Sequence, residues 1–169
     1  MSDIIRKHVI AVLIDNEFGA LARVVELFSA RGYNIETLCV APIASDKKIS
    51  RITITTYGTD KTIDLICKLL QRIVPVHASA ELTRSEGYIE RELALVQIIG
   101  DKKIVENASQ ALKEYRFNIV DNEEDSWVFE IIGNSNEVEK ALQILENYGL
   151  ATVSRTGIAA GFKGKKRLY

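Results

Sequence analysis

One succession of patterns runs twice along this chain: strand, helix, strand, strand, helix, strand. Few folds accommodate that order, because each helix returns the chain to a strand of the same sheet. In the first pass, "HVIAVLI" (8–14) is a short apolar run ended by polar turn formers, which predicts a buried strand. Helical period follows, with Leu21, Val24, Val25 and Phe28 at i, i+3, i+4 and i+7 and Arg23, Glu26 and Arg31 off that stripe. Gly32 is a fitting stop, since glycine takes the left-handed conformation without a Cβ penalty. "NIETLCVAPI" (34–43) is a second strand, and "ASDKK" a turn. In "ISRITITTY" (49–57), Ile52 and Ile54 alternate with Arg51, Thr53 and Thr55, predicting a half-buried strand with one polar face. "TDKTIDLICKLLQRI" (59–73) carries Ile63, Ile66, Cys67 and Leu70 on one helical stripe, and Pro75 forbids its continuation. "VHASAEL" (76–82) is the fourth strand.

After the polar stretch "TRSEGYIERE" (83–92), the order returns. "LALVQII" (93–99) is an apolar strand, and "DKKIVENASQALKEY" (101–115) a helix with Ile104, Ala108, Ala111, Leu112 and Tyr115 inward. "FNIVDNE" (117–123) and "SWVFEII" (126–132) are strands joined by an acidic turn. Asn134 suits an N-cap with Glu137 three residues on, before a helix that turns Val138, Ala141, Leu142 and Leu145 inward. "LATVSRTGI" (150–158) is the last strand, and "GFKGKKRLY" a basic tail. The expected fold is α+β: two ferredoxin-like βαββαβ domains, each an antiparallel sheet with both helices on one face. The expected boundaries are 1–82, a linker over 83–92, and 93–169. Val9, Ala11 and Leu13 point away from Ile10, Val12 and Ile14, so both faces of the first strand are apolar. Its far face therefore requires a cover, from a second domain or a second copy of the chain.

Composition removes several functions. The formal net charge of −1 argues against a nucleic-acid partner. The sheet of an RNA-recognition module would need aromatics where "SRITITTY" has threonines. No apolar run approaches the roughly 20 residues of a membrane span, and the start does not read as a signal peptide. Cys39 and Cys67 lie in apolar patterns without metal or redox spacing, which suits a reducing, cytoplasmic compartment. His8 and His77 fall in the first and fourth strands, with no carboxylate pattern tying them together. No His/Cys/Asp cluster has metal spacing, and the acidic run 122–125 reads as a solvated turn.

The segment "DNEFGALARVVELFSARGYN" (15–34) is more specific. It is neither GxGxxG nor GxxxxGK[ST], so it signals no nucleotide cradle. A helix beginning near Gly19 offers unpaired N–H groups and a positive dipole end. Asn16 and Asn34 can each donate and accept. The carboxylate of an α-amino acid would suit those N–H groups. On the residues alone, a plain strand-to-helix connection is the simpler reading.

Resemblance alters that balance. "HVIAVLIDNEFGALARVVELFSARGYNIETLCVAP", "SRITITTYG", "EGYIERELALVQI" and "SRTGIAAGFKG" together resemble the regulatory small subunits of acetolactate synthase (acetohydroxyacid synthase), in order and over nearly the whole chain. The resemblance implies an N-terminal ACT domain that pairs with another copy, as a homodimer or higher oligomer. An effector, typically valine, would sit between the copies. The implied site comprises Gly19 and Ala20 as backbone donors to the effector carboxylate and Asn16 at its polar end. Asn34 and Ile35 would come from the other copy. Phe18 stands where relatives often have proline, and there it would alter the loop's stiffness or the pocket wall. The implied subunit is not a catalyst and carries no cofactor itself. Its partner would be a catalytic large subunit holding thiamine diphosphate, magnesium and FAD, which it would activate and make sensitive to feedback. A free-standing amino-acid-binding ACT protein controlling another enzyme or a transcription factor is the alternative. An acylphosphatase-like enzyme fits poorly, because residues 15–18 contain no arginine.

Overall fold

The structure, a computed structural model, describes residues 4–43, 45–84 and 87–168. Residues 85 and 86 of the expected linker, residue 44 of the expected turn, and residues 1–3 and 169 lie outside the described residues. The chain forms two compact units, Met1–Ile89 with Ile158–Tyr169, and Glu90–Gly157.

In the first unit, β1 (Arg6–Asp15), α1 (Ala20–Ser29), β2 (Thr37–Pro42), β3 (Ile49–Gly58), α2 (Asp60–Leu70) and β4 (Val76–Glu81) follow in order. The antiparallel sheet has the order β2-β3-β1-β4, leaving β2 and β4 at the edges. Ile10, Val12 and Ile14 of β1 meet Val24 and Phe28 of α1 and Ile63, Ile66 and Leu70 of α2 in one core. Gly32 has φ +67, in the left-handed region that glycine tolerates. The inward face of α1 is rotated from the expected one: Ala20, Val24, Leu27 and Phe28 are buried, whereas Leu21 and Val25 are 39% and 38% exposed. The apolar arc of this helix is wider than its core contact, so the sequence period alone selects no single stripe.

The other face of β1 is covered from within the chain. Val9 and Ala11 pack with Leu82 and Ile158, flanked by Tyr88, Ala160 and Phe162. The expected basic tail contains a strand, β9 (Ala159–Phe162), and Arg51 Nη2 donates to the Ala160 carbonyl at 2.6 Å. Thr53 and Thr55, expected on a polar face, are instead 4% and 2% exposed. Small, hydrogen-bonding side chains suit such a covered position, and Thr37 Oγ1 donates to Thr55 Oγ1 at 2.9 Å.

β5 (Tyr88–Ile99) begins within the stretch expected as linker, and from Glu90 on it belongs to the second unit. α3 (Lys102–Ala111), β6 (Phe117–Glu123), β7 (Ser126–Gly133), α4 (Ser135–Leu145) and β8 (Leu150–Arg155) follow, in the sheet order β6-β7-β5-β8. Val96, Phe129, Ala108, Leu112, Val138 and Leu145 share its core. Asn134 and Glu137 form the expected reciprocal cap, at 2.9 and 2.7 Å. Val105, outside the expected inward set of α3, is buried, while Ile104 is half-buried. Glu92, 2% exposed, is held by Arg155 at 2.6 and 3.1 Å from across the β5–β8 pair. Two fixed hydrogen bonds satisfy that buried carboxylate, and Glu92 in turn raises the Arg155 pKa. These two units are the pair of ferredoxin-like domains expected from the repeated order.

Candidate functional site

The loop from β1 to α1 is held at both ends. Asp15 N–H donates to the Pro75 carbonyl at 2.8 Å, and the Asp15 carboxylate lies 2.6 Å from His77 Nε2. Asn16 N–H donates to the Lys48 carbonyl at 2.7 Å, and its Nδ2 to the Lys47 carbonyl at 2.8 Å. Asn16 thus fastens the loop to the β2–β3 hairpin, and its Nδ2 is committed within the chain.

Gly19 is the N-cap of α1, with φ +80 and no side-chain cap. A Cβ there would meet no heavy atom of the described residues within 4 Å, so its backbone conformation, and not crowding, calls for glycine. Thr59, Asp101 and Asn134 cap α2, α3 and α4 with their side chains. The first turn of α1 has neither such a cap nor an acidic residue, which leaves its positive end uncompensated. Ala20 N–H reaches the Glu17 carbonyl at a long 3.3 Å, and the Ala20 side chain is buried. Phe18 is fully exposed. An open cleft of about 670 Å³ runs from Gly19 along Leu21, Ala22 and Val25 to Ala30. A polar helix start therefore adjoins an apolar wall, and Leu21 and Val25, which the sequence reading turned inward, form that wall.

Asn34 and Ile35 lie elsewhere. The Asn34 carbonyl accepts from Thr56 Oγ1 at 2.6 Å, and its Nδ2 donates to Glu36 at 2.6 Å. Ile35 is half-buried and packs part of its side chain against its own unit's core. Asn16 is bonded at the Lys48 end of β3 and Asn34 at the Thr56 end. At about 3.4 Å per strand residue those ends are roughly 27 Å apart, so one chain does not bring the two groups together.

The histidines also differ from expectation. β1 and β4 are neighbours, and each histidine meets a carboxylate across that pair: His8 with Glu81 at 3.0 Å and His77 with Asp15 at 2.6 Å. Strand adjacency, not local spacing, supplies these pairs. Among the described residues no group of three or more His, Cys, Asp and Glu could hold a metal ion, and no helix is long and apolar enough to cross a membrane.

Two family models match in succession. Residues 10–78 match the AHAS small subunit-like ACT domain, and residues 91–161 match the small subunit of acetolactate synthase. The probable acetolactate synthase small subunit of Archaeoglobus fulgidus is 35% identical over 161 residues, covering 95% of this chain and 99% of the relative. The chain belongs to the acetolactate synthase small-subunit family. The isozyme 3 small subunit of Salmonella typhimurium is likewise 35% identical, over 95% of this chain and 98% of its own. The crystal structure of the Thermotoga maritima acetolactate synthase small subunit superposes with a TM-score of 0.85 at 29% identity, over 95% and 99% of the two chains. The N-terminal match makes the first unit an ACT-type domain, and membership makes the chain a regulatory component.

Proposed function

We propose that this chain is a non-catalytic subunit that activates an acetolactate synthase catalytic subunit and confers feedback inhibition by valine or another branched-chain amino acid. The observation that carries the effector site is the start of α1. An uncapped helix end at Gly19 adjoins the exposed apolar side chains of Leu21 and Val25. The N–H groups there suit a carboxylate, and the apolar wall suits a branched side chain. An exposed helix N-terminus contributes only about 0.3–1 kcal/mol. Burying a valine or leucine side chain adds roughly 1.5–3 kcal/mol, so the affinity depends on the apolar half.

The site is completed in a dimer. β2 is an edge strand whose start lies beside Thr55 and whose end lies beside Ser50. Antiparallel pairing of β2 with β2 of a second copy sets the start of one strand against the end of the other. That arrangement carries Asn34 and Ile35 of one copy toward the Asn16–Ala20 loop of its partner. Inhibition follows if the effector prefers one arrangement of the two copies. Thiamine diphosphate, magnesium and FAD belong to the catalytic partner in this reading.

Calorimetric titration with valine tests the site. Gly19→Asp sets a negative charge against the effector carboxylate and abolishes binding. Gly19→Asn controls for backbone strain, because asparagine and aspartate both tolerate positive φ. It should weaken binding by less than about tenfold, or roughly 1.4 kcal/mol. Undiminished affinity in Gly19→Asp contradicts the assignment.

A further inference from the structure

We propose that the second unit carries an anion site, formed by Arg91, Arg116 and Lys140, that takes the phosphate group of a small phosphate monoester. This site is independent of the amino-acid effector site. Three separate elements deliver the cations to one cleft of about 400 Å³: Arg91 from β5, Arg116 from the segment before β6, and Lys140 from α4. Among the described residues none of the three has a carboxylate within ion-pair distance.

Several other arginines of this chain are compensated by carboxylates. Arg155 is bonded to Glu92 and Glu139, Arg6 to Asp60, and Arg84 to Asp64. Gathering three cations without acid partners raises the local potential, and an anion in the cleft relieves it. Two glutamates also line the cleft, Glu114 and Glu137. Glu137 is committed, with its carboxylate accepting from the Asn134 N–H at 2.7 Å in the α4 cap. The cations outnumber the acids, and the local charge stays positive.

The donor set suits a tetrahedral oxyanion. Guanidinium forks match phosphate oxygens in pairs, and the lysine adds a point charge. Tyr115 and Asn136, which also line the cleft, carry neutral donor groups. The volume lies within the range of small-molecule sites and exceeds the needs of a bare phosphate ion. Ile132 offers apolar surface to the organic part of a monoester.

The test is a nuclear magnetic resonance titration of the full-length, isotopically labelled chain. Inorganic phosphate, glycerol 3-phosphate and succinate are each added at constant ionic strength, with sodium chloride as control. Both phosphates should give saturable shifts at Arg91, Tyr115, Arg116 and Lys140, tighter for the monoester, and chloride should not. Arg116→Gln should weaken binding by about tenfold or more, as expected for a lost charged hydrogen bond. Arg91→Gln, changed at another point of the cleft, should do the same, so the test survives if one variant fails to fold. No saturation beyond chloride, or equal affinity in both folded variants, overturns the site. Saturation by succinate as tight as by the phosphates overturns the phosphate assignment. Valine added to the same sample reports at Gly19, so failure here is separable from failure of the effector site.

Discussion

His8 Nδ1 lies 3.0 Å from Glu81 Oε1, and the histidine side chain has no exposed surface. A carboxylate only accepts, so Nδ1 carries the proton of that bond. Glu81 also takes the N–H groups of Thr83 and Arg84 at 3.1 and 3.0 Å, and the Thr83 hydroxyl. One carboxylate thus ties β1, the end of β4 and the following turn together. Among the described residues His8 Nε2 has no hydrogen-bond partner, and it faces Asp60 Oδ1 at 3.7 Å. Glu81→Ala leaves the buried Nδ1–H only a long 3.3 Å approach to Thr83 Oγ1 and removes the acceptor of two backbone donors. It should cost about 2–3 kcal/mol. Urea denaturation measures this, and a loss below about 0.5 kcal/mol would show the pair to be incidental.

Acid stability should depend on Arg6. Its hydrogen bond to Asp60, at 2.8 Å, is the main cause holding the Asp60 carboxyl below its ordinary 3.8. Burial opposes that shift, and the charges of Arg6, Arg84 and His8 add to it. A depressed folded pKa stabilises the fold above the unfolded value and loses that contribution as pH falls through the folded value. Arg6→Ala should therefore lower stability at neutral pH, with the deficit shrinking as pH falls through the folded value, and move the acid-unfolding midpoint upward. Circular dichroism across pH 2–5 reads the shift, and an unmoved midpoint contradicts it.

Cys67 should be a poor nucleophile. Burial, then the Glu81 charge, pushes its thiol up to about 11. At pH 8 roughly one molecule in a thousand then carries the thiolate. Iodoacetamide should label Cys67 far more slowly than a free thiol, with the rate still rising above pH 9. Mass spectrometry of the labelled peptides follows both cysteines, and rapid labelling of folded Cys67 at pH 8 contradicts this environment.

The C-terminal segment should be structural. Ile158 is 1% exposed against Val9, Ala11 and Leu82. Ile158→Ala removes this cover from the far face of β1 and should cost about 2–4 kcal/mol. A change within experimental error in thermal and urea unfolding would mean that something else covers that face.

Much of the fold was legible because local signals agreed with one another. The repeated element order, the Asn134–Glu137 cap and the left-handed Gly32 are all short-range features. What escaped was long-range. Thr53 and Thr55 have a polar pattern, yet a segment more than a hundred residues away roofs the strand that carries them. Glu92 and Arg155 become partners only in the β5–β8 register. In the candidate site, the helix start at Gly19 was legible, whereas the outward Leu21 and Val25 did not follow from helical period. Asn16 and Asn34 lie at opposite ends of β3, a separation visible only once the strands are paired.

Reconstitution with the cognate catalytic subunit decides whether this chain activates and confers feedback. Acetolactate formation is measured with the catalytic subunit alone, with this chain added, and with valine, leucine or isoleucine then supplied. The chain should raise the rate, a branched-chain amino acid should lower it again, and Gly19→Asp should keep the activation while losing the inhibition. A rate unaffected by adding the chain would contradict the regulatory role.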